Sequence, residues 1–112
     1  MEPFLNRQEE RYVRNEWLFR EVNERIAEVN ETFGVEGQAE FLCECGQQIC
    51  VATVKLARTQ YEAIRGESRR FIVVPGHENS SVERVVQREP GFLVVEKLGE
   101  AGEESEEHDP RS

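Results

Sequence analysis

All three cysteines of the chain fall in one short stretch, FLCECGQQIC, at positions 43, 45 and 50. Thiols packed at that density suit a metal ion. Structural Zn²⁺ takes four tetrahedral ligands drawn from thiolate and imidazole. On an extended backbone, residues two apart share a face, so Cys43 and Cys45 aim their sulfurs one way and Glu44 faces the other. Gly46 follows and tolerates a positive φ, which lets the chain turn sharply. Gln47-Gln48-Ile49 complete a short loop, and Cys50 opens the return strand over the same face. Three sulfurs thus converge, and the fourth ligand must come from elsewhere. Of the two histidines, His108 lies in an acidic C-terminal stretch. His77 closes VVPGH on a Pro75-Gly76 turn at the end of a strand, where a ligand is well held. The expected site is a structural Cys3His zinc site of Cys43, Cys45, Cys50 and His77, joining the hairpin 41–52 to the turn at His77.

Other chemistries for the same residues compete with this one. Free cysteine is often a small buried apolar side chain, and His77 taken alone reads as a turn histidine bonded to a carbonyl. A disulfide framework is disfavoured, because three thiols cannot all pair and Cys43 and Cys45 are too close for an unstrained bridge. A redox switch would release zinc when its thiolates oxidise. Iron is a poorer match than zinc. The CDGSH family, which holds a [2Fe–2S] cluster on three cysteines and a histidine, keeps that histidine within C-D-G-S-H, whereas Val51-Ala52-Thr53-Val54 follow Cys50 here. A cysteine nucleophile activated by His77 leaves two thiols unexplained. A catalytic zinc would keep one position open for water, with Glu44 or Glu78 as the base, but a domain of this size has little room for a substrate pocket. No phosphate-binding or dinucleotide glycine pattern is present. Arg69-Arg70 would suit an anion, yet against so acidic a background they read as a solvated strand entrance.

The elements that position these residues follow from periodicity. Residues 4–33 read as one long helix, with an apolar stripe at Val13, Trp17, Leu18, Val22, Ile26, Val29 and Phe33, widened by Phe19 and closed by Gly34. Trp17 and Phe19 would suit a partner-binding face, but at helical spacing such residues more often belong to the core. From Gly37 onward, β-branched and aromatic runs alternate with turn residues, giving strands near 39–44, 51–56, 70–74, 84–88 and 92–97. RTQYEAIRG between the second and third is a short helix. Ser80-Ser81-Val82-Glu83 fits a capping box before a single helical turn. Glu89-Pro90-Gly91-Phe92 fits a type II turn and makes 84–97 a hairpin, with a helix through 82–88 as the competing reading. The fold class is α+β: a long N-terminal helix packed on a small, mostly antiparallel sheet with one short helix, all within residues 1–98.

With 23 acidic against 14 basic residues the chain carries a net charge of −9. Six of the acids (Glu100, Glu103, Glu104, Glu106, Glu107 and Asp109) crowd GEAGEESEEHDPRS against Arg111 alone. That stretch has no apolar residue larger than alanine, so residues 99–112 are expected to form a disordered acidic tail. The charge disfavours nucleic acid and anionic membranes as partners. Neither a secretory signal nor a run of membrane-spanning length is seen, so a cytoplasmic location is expected.

In order, LFREVNERIAEVN, FLCECGQQIC, YEAIRG, RRFIVVPGHE, VERVVQ and LVVEKLGEAGE resemble a group of short uncharacterised actinobacterial proteins over roughly residues 16–104. The resemblance is carried by the pairing of C-E-C-x4-C with a later P-G-H-E. It implies that Cys43, Cys45, Cys50 and His77 act as one unit, and it implies no activity. One departure is Ala57, where such proteins often have a Thr or Ser cap before the middle helix, at a cost of about 1 kcal/mol. The functional expectation is a non-enzymatic interaction or adaptor module, with a protein partner or a homodimer formed through the N-terminal helix. A thiol-based zinc-release sensor and a small metal- or cysteine-dependent hydrolase are the alternatives.

Overall fold

A computed structural model describes residues 7–32, 37–47 and 50–109, with the side chains of 14–30 in the first helix. Phe33 and Gly34, Gln48 and Ile49, the side chain of Val13 and the last three residues lie outside the described set. The chain runs α1 (Arg7–Thr32), β1 (Gln38–Leu42), β2 (Thr53–Ala57), α2 (Arg58–Arg65), β3 (Arg70–Val73), β4 (Glu83–Glu89), β5 (Phe92–Lys97) and α3 (Gly99–Glu107). The architecture is α+β, as the sequence indicates. The strands form two antiparallel sheets instead of one: β1-β2, and β3-β5-β4 with β5 in the middle.

β1 and β2 pair from Gln38↔Ala57 to Leu42↔Thr53. The chain then crosses from one sheet to the other. Cys43 N–H donates to Ala52 O at 3.0 Å, and the next amide, Glu44 N–H, donates to Ile72 O of β3 at 2.7 Å. Successive residues of β3 and β5 are buried on both faces. Ile72, Phe92 and Val94 pack with Phe41, Val54, Leu56, Tyr61 and Ile64 in one apolar cluster. Phe71, Val73, Leu93 and Val95 pack with Cys43 and Cys45 in another. β4 and β5 form the expected hairpin, with Glu89 paired to Phe92 across the Pro90-Gly91 turn and an irregularity between Val85 and Gln87. Gly91 has φ 88°, the left-handed value a type II turn requires at that position. The turn before β4 is built on Asn79 and not on Ser80. Asn79 Oδ1 accepts from Ser81 N–H at 3.1 Å, while Asn79 N–H donates to Glu83 Oε2 at 2.9 Å. α2 starts without a side-chain cap at Ala57, but Ala57 N–H donates to Gln60 Oε1 at 2.8 Å, which satisfies one amide of the helix start.

α1 is where periodicity misleads. The residues it buries are Glu16, Arg20, Asn23 and Ala27. Leu18, Val22 and Val29 of the apolar stripe are exposed, and Ile26 and Trp17 are partly buried at the margins. The surface beneath the helix explains this. It offers carbonyls and charges that need partners, and a buried charge left alone costs more than a few half-exposed aliphatic side chains. Arg20 Nη2 donates to Ser68 O at 2.8 Å and Arg70 O at 2.7 Å, while its guanidinium lies 3.6 Å from the Phe71 ring centroid. Lys97 Nζ is paired with both Glu16 and Glu83 in a fully enclosed triad.

The expected disordered tail is also corrected. Residues 99–107 form α3, in which Ala101, Gly102 and Ser105 are buried, as is Asp109 just beyond it. The stretch lacks large apolar residues, but it docks by other means. A Cβ on Gly102 would lie 2.9 Å from Lys97 O and closer still to the Arg69 guanidinium, so glycine permits the close approach. Asp109 Oδ1 accepts from Arg65 Nη2 at 2.6 Å, and the His108 ring stacks on Trp17 at 4.0 Å. No helix among the described residues is long and apolar enough to cross a membrane.

Candidate metal centre

Cys43, Cys45, Cys50 and His77 come together, with their four ligand atoms all within 4.8 Å of one another. His77 Nδ1 lies 3.5 Å from Cys43 Sγ and 3.6 Å from Cys50 Sγ. With Zn–S near 2.3 Å and Zn–N near 2.0–2.1 Å, a tetrahedral angle separates sulfur from nitrogen by about 3.6 Å. The observed separations match the edge of such a tetrahedron. The four residues are positioned to hold a metal ion.

Each ligand is placed by local backbone chemistry. Cys43 and Cys45 flank Glu44 at the crossing between sheets, and Gly46 turns the chain at φ 77°, as the sequence suggests. Cys50 N–H donates to Gln47 O at 2.9 Å, closing the turn that returns the chain. His77 is set by the Pro75-Gly76 turn, where His77 N–H donates to Val74 O at 2.9 Å and Gly76 takes φ 95°. Val74 N–H donates to Cys43 Sγ at 3.2 Å, so the residue that follows β3 touches the Cys43 sulfur directly. Cys43 and Cys45 are buried, while Cys50 and His77 are partly accessible.

Protonation within the cluster follows from sharing. Hydrogen bonding from Cys43 draws the Cys45 thiol down to about 5, against the opposing effect of burial; Gln47, His77 and Cys50 also help hold its thiolate. The same contact, together with burial, pushes Cys43 up. Cys50 is pushed up by burial. One thiolate therefore collects the donors around it, an anionic centre suited to a cation.

The support for this cluster escapes any motif. Asn23 Nδ2 donates to Leu42 O at 2.9 Å and Leu42 N–H donates back to Asn23 Oδ1 at 2.7 Å. Asn15 Nδ2 donates to Gly46 O at 3.0 Å. Two asparagines of α1 thus grip the chain on either side of Cys43–Cys45. Glu44, pointing away from the sulfurs as alternation demands, is fully buried. It accepts from Asn23 Nδ2 at 2.8 Å, Ile72 N–H at 3.0 Å and Tyr61 OH at 3.2 Å. Burial raises its pKa, while Arg20, Asn23 and Ile72 oppose that rise. The hint in the sequence is an asparagine or charge at each of 15, 16, 20 and 23 along one side of a helix.

The residues weighed for other roles find structural partners. Glu78 Oε1 accepts from Gly76 N–H at 2.7 Å, and Glu44 is committed to its own network. Arg69 pairs with Glu106 and Arg70 with Glu96 at 3.3 Å. His108 lies 3.6 Å from Glu104 in an exposed acidic group with Glu107. Comparison of the chain with protein-family models, with curated proteins and with solved structures finds no match.

Proposed function

We propose that Cys43, Cys45, Cys50 and His77 bind one Zn²⁺ as a closed structural site, and that the protein is a non-enzymatic interaction module stabilised by that ion. The observation that carries this reading is the pair of sulfur–nitrogen separations, 3.5 and 3.6 Å, at the tetrahedral edge. Four protein ligands fill a tetrahedron and leave no position for a reacting water. A cavity of about 180 Å³ between α2 and the β3-β5-β4 sheet is lined by Ile64, Arg70, Phe92 and Val94 among others. It shares no residue with the cysteine cluster and is smaller than an ordinary substrate pocket. At this chain length a bound metal is a common supplement to a small core.

Metal content by mass spectrometry, on untagged protein purified under reductant, tests the reading. The expected result is close to one zinc per chain, lost in Cys45→Ser and His77→Ala together with part of the thermal stability. Metal-free protein with three freely titrating thiols and an unchanged melting temperature would refute it. A second reading, a thiol switch, is favoured by the low pKa of Cys45 and the partial exposure of Cys50. Peroxide would oxidise two thiolates to one disulfide, itself reduced to water, and the zinc would leave. Retention of zinc under mild peroxide supports the structural role; prompt loss reversed by reductant supports the switch.

A further inference from the structure

Residues 42–46 are held from two sides. Cys43 and Cys45 turn their sulfurs to the metal centre, while α1 grips the alternate residues Leu42, Glu44 and Gly46, as the two faces of an extended chain allow. Asn23 is fully buried, and its whole amide is directed at this segment. Its Oδ1 accepts from Leu42 N–H at 2.7 Å, and its Nδ2 donates to Leu42 O at 2.9 Å and to Glu44 Oε2 at 2.8 Å. The paired bonds to Leu42 close its N–H and C=O as a neighbouring antiparallel strand would. Further back on the same helix, Asn15 Nδ2 donates to Gly46 O at 3.0 Å.

Building on the zinc reading above, we propose that α1 docking and metal binding are coupled through this shared segment. Asn15 and Asn23 are positioning residues for Cys43 and Cys45, and metal occupancy in turn sets how firmly α1 docks. Groups that orient metal ligands from outside typically set affinity by about 10–100-fold. Here they act on the backbone around two thiols, from the face away from the sulfurs. Coupling between two binding events is reciprocal, so the ion that gains from a fixed segment also fixes it for the helix. α1 is suited to respond. Among its described side chains the buried ones are Glu16, Arg20, Asn23 and Ala27. Hydrogen bonds are directional, whereas apolar burial is not. A helix docked mainly by polar groups therefore needs the segment beneath it in place, and a small shift of residues 42–46 loosens several bonds together.

Zinc affinity of the full chain under reductant, measured by chelator competition, tests this. Asn15→Ala and Asn23→Ala should each weaken zinc binding by about tenfold or more. Asn30→Ala should leave it unchanged, because Asn30 Nδ2 bonds back to Ile26 O of the same helix at 2.7 Å. Asn15 is partly exposed, so Asn15→Ala keeps the fold and decides the matter where Asn23→Ala does not fold. Hydrogen exchange gives the reciprocal readout: saturating zinc should slow the α1 amides of the wild type, and slow them less in Asn15→Ala. Asparagines with a merely structural role would lower stability with and without zinc alike and leave zinc affinity unchanged. A wild type that binds zinc no more tightly than Asn15→Ala, or α1 amides indifferent to bound zinc, would overturn the coupling and leave the zinc site standing. A wild type that binds no zinc would overturn both.

Discussion

Removing the Asp109 carboxylate tests whether the acidic end of the chain is part of the folded protein. Its side chain is 3% exposed and faces Arg65, which is fully buried, at 2.6 Å. Arg20, 1% exposed, lies 4.0 Å away. Breaking a buried ion pair by deleting one partner costs about 3–5 kcal/mol, because the other charge stays behind. Here Arg65 keeps Glu24 at 2.8 Å, and Arg20 keeps two carbonyls, so the lower end applies to Asp109→Ala. A loss of about 3 kcal/mol is a large share of a typical folding stability, and in a domain of about 100 residues it lowers the melting temperature by roughly 12 °C or more. Thermal denaturation followed by circular dichroism measures it. Deletion of residues 99–112 should cost at least as much, since it also removes the ring stacked on Trp17 and uncovers Val82. If both variants melt within about 2 °C of the wild type, well below the shift expected from that magnitude, then α3 does not dock and the pairing is not formed.

Two further perturbations probe the buried charges and the ligand turn. Glu16 is pushed up to about 8, chiefly by burial, with Lys97 opposing and Glu83 and Glu44 reinforcing. Its folded pKa lies above the unfolded one, so the folded chain holds a proton that the unfolded chain releases. Stability is therefore highest below about pH 4.5 for this group and falls as pH rises towards 8, by at most about 5 kcal/mol. Glu16→Gln should flatten that fall, and urea midpoints of wild type and variant that stay parallel from about pH 5 to 9 would contradict the reasoning. At Gly76, φ 95° with open space at the Cβ position means that alanine is penalised by the backbone alone, by about 1–2 kcal/mol. Gly76→Ala should shift the His77 turn and weaken the proposed zinc binding about tenfold by chelator competition; unchanged affinity would show that the turn does not set the imidazole.

The candidate site was legible because metal ligation is written in residue type and close spacing. C-x-C around a glutamate, a glycine at the turn and a proline-glycine step before His77 each state a local geometry, and local geometry survives folding. The strands and the 84–97 hairpin were legible for the same reason. The facing of α1 was not. Periodicity reports that Leu18, Val22 and Val29 share a side, but it does not report what the rest of the chain presents to the helix. The opposing surface holds Lys97, the Ser68 and Arg70 carbonyls and the Leu42 backbone, so the polar side went inward. The end of the chain misled in a related way. A composition with no large apolar residue excludes docking by hydrophobic burial, but α3 docks through a glycine contact, a stacked imidazole and a carboxylate aimed at a buried arginine.

These two surprises bear on the metal centre from the same side. The residues that α1 buries in place of its aliphatic stripe include Asn23, and Asn15 reaches Gly46 from its edge. The helix therefore holds the segment carrying Cys43 and Cys45 through hydrogen bonds to Leu42 and Gly46, and through Glu44 between the two thiols. Glu44 cannot be satisfied by solvent, since it is fully buried; it needs Asn23, Tyr61 and the Ile72 amide together. Those three donors come from α1, α2 and β3, so the backbone position of both cysteines is tied to three elements on the face away from the sulfurs. The other two are placed by local turns instead, through Cys50 N–H to Gln47 O and His77 N–H to Val74 O. Two thiols are thus tied to the surrounding helices and sheet, and the remaining thiol and the imidazole to short-range turns. That division makes the polar facing of α1 part of the site.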